Sequence, residues 1–256
     1  VSIAGITFDL ETQGVDTEND KIVTAFIGEI DSAGREVWRK EWLIDQGEPV
    51  PEGAAAVHGW TTERIRATPA ARTDVRTAVL EIASTIYEHC ARAGKPLMGM
   101  NLQYDCSMLD AELRRYELPR LHYGLIANPI HVLDARVLDT HYDRYRKGKR
   151  KLINLAEHYQ VQLTEDDAHD ASFDAIASGR IIQAIARKHI PYLQAIAEQG
   201  GDLEETLRTL HNSQIQWHRD WARGYEQYLA KQNKQETIDG GWPLSNRARN
   251  AAQNTN

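Results

Sequence analysis

The chain has 256 residues, 41% of them hydrophobic and 26% charged, with a formal net charge of −7. That length can bury a full core and suits one α/β domain with an addition. Two cysteines, Cys90 and Cys106, argue against a disulfide framework, and no apolar run approaches the ~20 residues of a membrane span, so a cytoplasmic protein without a membrane partner is expected.

The chain opens at Val1 rather than Met and shows no signal-peptide pattern, which reads as removal of an initiator or tag. Residues 3–10, 21–30 and 35–44 read as strands, with Asp31-Ser32-Ala33-Gly34 making a tight turn between the last two. Asp9 and Glu11 close the first apolar run. Residues two apart on a strand share a face, so both carboxylates leave in one direction. Like charges held that close are costly unless a cation neutralises them, and hard divalent ions take such oxygen ligands. A polar strand end running into a turn is the plain alternative for this pair alone.

Val75, Val79, Ile82 and Ile86 fall four, three and four apart on a helix that stops at Gly94. Residues 96–101 form a short buried strand that turns into a helix carrying Asp105 near its start. Met108, Leu109 and Leu113 face inward there, with Glu112, Arg114 and Arg115 left for solvent. An Asp in a first helical turn is also an ordinary partner for the helix dipole. A strand over residues 130–134 and a helix over 152–159 follow. His169-Asp170-Ala171-Ser172-Phe173-Asp174 then leads into a long helix continued by Ile176, Ile181, Ile182 and Ile185. With His169 in the loop before that helix, its side chain and that of Asp174 can reach one point. Antiparallel strands followed by alternating helix and strand give a mixed sheet with helices on its faces. The carboxylates collect at strand ends and helix starts, where open α/β sheets place their sites.

Arg144, Arg146, Lys147, Lys149, Arg150 and Lys151 form the densest basic run of an acidic chain. They are read either as a solvated surface or as a strip for a nucleic-acid backbone. From Pro191 onward the pattern is helical. Trp221, Tyr225 and Tyr228 share one helix face, expected to dock on the core. With Arg219 and Arg223, the same aromatics could instead stack bases or meet a partner. The polar, Asn-rich stretch over 241–256 is expected to be disordered.

Taken together, Phe8-Asp9-Leu10-Glu11-Thr12, Asn101 with Asp105, and His169-x-Ala171-x-x-Asp174, in that order, resemble the DnaQ-like 3′–5′ exonucleases of the DEDDh type within the ribonuclease H-like superfamily. The segment over 51–60, with Val57, His58 and Trp60, resembles the family's stretch beside the terminal nucleotide, and Asp134 stands where relatives often have an Asp opening a helix. Met100 departs from the His common before the Asn, which bears on strand-end packing more than on chemistry.

The resemblance implies an α/β fold, a ribonuclease H-like mixed five-stranded sheet flanked by helices. It covers residues 1–188, leaving a helical C-terminal extension over 189–240. It also implies two Mg²⁺ or Mn²⁺ ions held by Asp9, Glu11, Asp105 and Asp174, with His169 as general base. Asp170 stands where the tyrosine of the sister subfamily would be. Leu10, Thr12, Val57, His58, Trp60 and Asn101 are the implied substrate contacts, and Arg146, Lys147 and Lys149 are added from the basic run. The expected activity is release of nucleoside monophosphates from a single-stranded or frayed 3′ end, of DNA in preference to RNA, alone or beside a polymerase. An RNA-trimming enzyme, or a non-catalytic module that binds nucleic acid or a partner, are the alternatives. The complete carboxylate and histidine set speaks against the module.

Overall fold

A computed structural model describes residues 3–124, 129–163, 171–193 and 201–253. Five strands form one sheet in the order β3-β2-β1-β4-β5. Strands β1 (Gly5–Thr12), β2 (Ile22–Ile30) and β3 (Glu36–Leu43) pair antiparallel. Strands β4 (Leu97–Gly99) and β5 (Val132–Asp134) run parallel to β1. The mixed five-stranded sheet expected from the sequence is therefore present. The outer strand β3 is studded with Glu36, Arg39, Lys40 and Glu41, charges that discourage pairing with another chain.

Between β3 and β4 lie the short helices α1 (Glu52–His58) and α2 (Thr62–Ala67), then α3 (Val75–Ile86). A π-helical segment, Tyr87–Arg92, extends α3 towards Gly94. Helices α4 (Leu102–Arg115), α5 (Ala135–Tyr142), α6 (Leu152–His158) and α7 (Ala171–His189) follow, then α8 (Leu203–Lys231) and α9 (Asn246–Gln253). Among the described residues no helix is long and apolar enough to cross a membrane.

Alternation along β1 sends Ile6, Phe8 and Leu10 into one apolar layer, shared with Ile82 and Ile86 of α3 and Leu109 and Leu113 of α4. The second layer gathers Phe26, Met98 and Leu133 from the sheet with Ile181, Ile182 and Ile185 of α7 and Leu207 and Leu210 of α8. One expectation fails on α4: Glu112 is fully buried, its charge met by Arg115 at 2.6 Å. Helical periodicity left it outside because its burial comes from tertiary packing beside Lys21 and Ile22 at the start of β2, not from the local Arg115.

The segment after α8 also departs from the sequence reading. Residues 241–253, expected to be disordered, are ordered: Trp242 is buried in the first layer and α9 follows it. Ser245 N–H donates to Ser107 Oγ (2.9 Å), and the Asp239 carboxylate accepts from the Gly241 and Asn246 amides. One large apolar side chain and a few side-chain acceptors suffice to pin a polar stretch against α4, and composition hides them.

Helix α8 completes the β5 edge. Gln214 Oε1 accepts from Asp134 N–H (2.9 Å), and its Nε2 donates to the Val132 carbonyl (2.9 Å). His211 Nδ1 accepts from Val132 N–H at 3.1 Å. An accepting Nδ1 requires a neutral ring, and burial, with His131 and Arg249 nearby, pushes the His211 pKa down to about 3. The unfolded chain binds this proton below about 6.5, whereas the fold refuses it until near its lowered value. His211 therefore costs stability progressively as pH falls from about 6.5 towards 3, on the order of 3 kcal/mol by pH 4. Denaturant titrations of wild type and His211→Gln between pH 7 and 4 are expected to show a shallower acid loss in the variant. Parallel profiles would refute the assignment.

Candidate active site

The site forms at the carboxyl ends of β1, β4 and β5. On β1, Thr7, Asp9 and Glu11 share the face opposite Phe8 and Leu10, as their spacing dictates. Helix α7 crosses that face at close range because residue 179 is glycine. A Cβ there would meet Thr7 Cγ2 at 2.5 Å and Ile30 Cδ1 at 2.7 Å. This close approach delivers Asp174, in the first turn of α7, to the end of β1. Carboxylate oxygens of Asp9, Glu11 and Asp174 lie within 4.8 Å of one another, and all three residues are half-buried.

Asp105 approaches from the other side of β1. It is only 4% exposed, and its Oδ1 accepts from Leu10 N–H at 3.1 Å. Burial raises its pKa, with the Asp134 carboxylate adding to the rise and the Leu10 amide opposing it. The donor set is entirely oxygen and strongly acidic. The three converging carboxylates fit a hard divalent cation, which would relieve their mutual repulsion, whereas Asp105 is not among the acids whose oxygens come within 4.8 Å of one another there.

Asp134 organises the neighbouring strand ends. Its carboxylate accepts from the backbone amides of Asn101 (3.0 Å) and Leu102 (2.9 Å), opening α4, and of Arg136 (2.9 Å) and Val137 (3.4 Å), capping α5. Trp242 Nε1 reaches it as well, at 3.4 Å. Asn101 sits at φ 63°, left-handed backbone that Asn tolerates better than most residues. Its Oδ1 accepts from Arg136 Nη1 at 3.0 Å. The buried sulphur chain of Met100's neighbour Met98 and Met100 itself pack in the second apolar layer.

At the last residue of β1, the Thr12 hydroxyl meets Tyr104 Oη, and both reach the Gly14 carbonyl. Burial pushes the Tyr104 phenol up to about 12. His58 is buried near Thr12, and its Nδ1 accepts from Trp60 N–H (3.1 Å). Desolvation lowers its pKa, offset in part by the Thr12 backbone. Val57 is exposed, and the Arg64 guanidinium covers one face of Trp60 at 3.8 Å. Leu10, expected among the substrate contacts, has its side chain in the core and its amide committed to Asp105.

The basic run divides. Arg146 and Arg150 are bound to buried Asp139, at 3.1 and 2.6 Å, and Tyr159 donates to the same carboxylate. Arg146 also donates to the Lys147 and Lys149 carbonyls, so it shapes the loop instead of offering a surface cation. Lys147 and Lys149 remain exposed, as does Arg144. Asp139, Asp143 and His158 also come together, but these arginines already neutralise Asp139. His169 lies outside the described residues. Sequence reasoning passed over Tyr104, although it directly precedes Asp105. It also placed Asp134 only as the start of a helix.

A family model described as Exonuclease matches residues 6–182. No curated protein sequence matches the chain significantly. Among solved structures, exonuclease I from E. coli in complex with a dT13 oligonucleotide aligns with TM-score 0.58 and 16% identity, over 75% of this chain and 43% of the other. Exonuclease I from Methylocaldum szegediense aligns with TM-score 0.59 and 13% identity, over 80% and 44%. A further exonuclease I structure gives 0.59 and 15%, over 80% and 45%. The chain thus spans less than half the length of these proteins, and at such identities the likeness is one of fold.

Proposed function

Because this chain belongs to the exonuclease family, we propose that it is a DnaQ-like, DEDDh-type, metal-dependent 3′→5′ exonuclease releasing nucleoside monophosphates, from DNA in preference to RNA. The convergence of Asp9, Glu11 and Asp174 oxygens within 4.8 Å carries this reading. Two Mg²⁺ or Mn²⁺ ions held by these residues and Asp105 would lower the pKa of the attacking water and neutralise charge at the phosphate. His169 would accept the proton of that water, a general-base role that a histidine can fill near neutral pH. Thr12, His58 and Trp60 frame the terminal nucleotide, with Asn101 beside them. Residues 1–188 hold the chemistry and 189–240 extend it. The DNA preference draws support from the oligonucleotide carried by the similar exonuclease I fold.

Degradation of 5′-labelled single-stranded DNA, duplex DNA and matched RNA with Mg²⁺, Mn²⁺ or EDTA tests the reading. A ladder shortening from the 3′ end, absent with EDTA, is expected. Internal cleavage or metal-independent activity would overturn it, and a faster RNA ladder would assign the substrate to RNA. His169→Ala is expected to lower kcat by ~10²–10⁴ with metal binding retained, the usual share of a general base. Wild-type turnover in that variant would remove His169 from its role.

A further inference from the structure

Helix α8 outruns the core it docks on. Its inward stripe runs through Leu207, Leu210, His211 and Gln214 and continues at the same spacing into Trp217, Trp221, Tyr225 and Tyr228. The first group is buried, but Tyr225 is 41% and Tyr228 57% exposed. A helix of 29 residues extends roughly 43 Å, so its second half overhangs the end of the sheet. Beneath the overhang lies a groove of about 720 Å³ between α8 and α5, with Asn101 and Asp134 at its inner end.

The groove walls are aromatic and cationic. Trp221 and Tyr225 are nearly parallel (centroids 5.7 Å, 10°), as are Tyr225 and Tyr228 (6.2 Å, 13°). On the inner wall Trp217 stacks on His141 at 3.7 Å. Arg136 spans from Asn101 to the Trp221 ring, 5.1 Å from its centroid, and exposed Arg144 stands at the rim. The two acids of the lining are engaged: Asp134 by the amides described above and Asp220 by Arg223 and Gln216. Parallel rings with guanidinium groups beside them match the π-faces and phosphates of an unpaired strand.

The groove also has the right address. Asn101 lies one helical turn before Asp105, and β5 is two strands from β1, roughly 10 Å across the sheet. Trp221 to Tyr228 covers about 10.5 Å of helix, the length of roughly three stacked nucleotides. All of these aromatics lie beyond the residues 6–182 that the family shares.

We propose that this groove holds the single-stranded segment 5′ of the nucleotide being removed, its bases against Trp221, Tyr225 and Tyr228 and its phosphates beside Arg136 and Arg144. The direction of the strand, though not the groove's affinity for it, rests on the exonuclease reading. The test is fluorescence anisotropy in EDTA with labelled single strands of two to twelve nucleotides, as DNA and as RNA, on the full chain. Wild type is expected to bind more tightly as strands lengthen, up to about six nucleotides. The double variant Tyr225→Ser, Tyr228→Ser should lose most of that gain, about 30-fold or more in Kd on a twelve-mer, from ~1–3 kcal/mol for each of the two stacked bases. Arg144→Gln should flatten the salt dependence of the wild-type curve. Equal affinities in wild type and double variant, with matching thermal melts, would overturn the proposal, as would no strand binding by wild type. Tyrosine-dependent binding without cleavage in Mg²⁺ or Mn²⁺ would keep the groove and overturn the exonuclease reading instead.

Discussion

Asp9→Ala is expected to abolish hydrolysis of every substrate while the protein stays folded. Asp9 sits half-buried where β1 ends, its carboxylate oxygen within 4.8 Å of those of Glu11 and Asp174. Truncation removes one of three converging anions, so the apolar layer under Phe8 and Leu10 is untouched. On the proposed reading, what disappears is an oxygen ligand for the cation that would neutralise the attacked phosphate. Lewis-acid stabilisation is worth several kcal/mol, so a fall in kcat of about 10³-fold or more follows. The melting temperature without metal should match wild type, whereas the rise on adding Mn²⁺ should vanish, because that rise reports binding to the folded state. A variant that keeps both turnover and the Mn²⁺-induced rise would remove Asp9 from the site.

Asp134→Ala is expected to damage stability and activity together. One buried carboxylate accepts from four backbone amides and from Trp242, fastening the starts of α4 and α5 to the ends of β4 and β5. Hydrogen bonds to a charged acceptor contribute ~1.5–3 kcal/mol each, and buried donors left unpaired add their own penalty. Because these bonds are not additive, the total loss should be about 3–5 kcal/mol. Asp134→Asn, which keeps an acceptor oxygen but not the charge, should fall between. Activity should drop in both, since α4 carries Asp105 and the left-handed turn at Asn101 depends on this anchor. Equal denaturation midpoints for wild type and Asp134→Ala would contradict the anchoring role.

Why some of this was legible in the sequence follows from range. The β1 strand and the shared face of Asp9 and Glu11 are consequences of period-two geometry, visible within ten residues. The α7 helix shows in its isoleucines. By contrast, the burial of Glu112 depends on packing beside Lys21 and Ile22, some ninety residues earlier, and the engagement of Arg146 depends on the burial of Asp139, which Tyr159 helps to enclose from twenty residues on. No local pattern separates Arg146 from Lys147 and Lys149, although only the arginine is withdrawn into an ion pair. Trp242 is harder still, one apolar residue in a polar stretch that finds its place through contacts more than a hundred residues away. The α8 stripe shows the limit most clearly. Its spacing announces a buried face, but where burial stops depends on how far the sheet extends beneath it.

The amide of Gln214 standing in for a sixth strand has a practical consequence for dissecting this protein. A fragment that stops before α8 would uncover the backbone of β5 at Val132 and Asp134, together with the apolar surface under Leu207 and Leu210. Unpaired strand edges beside greasy surface invite other chains to add on. Such a fragment, though it contains every carboxylate of the site, is therefore poised to associate through its sheets and precipitate. The last fifth of the chain acts as a stopper for the fold that the first four fifths build.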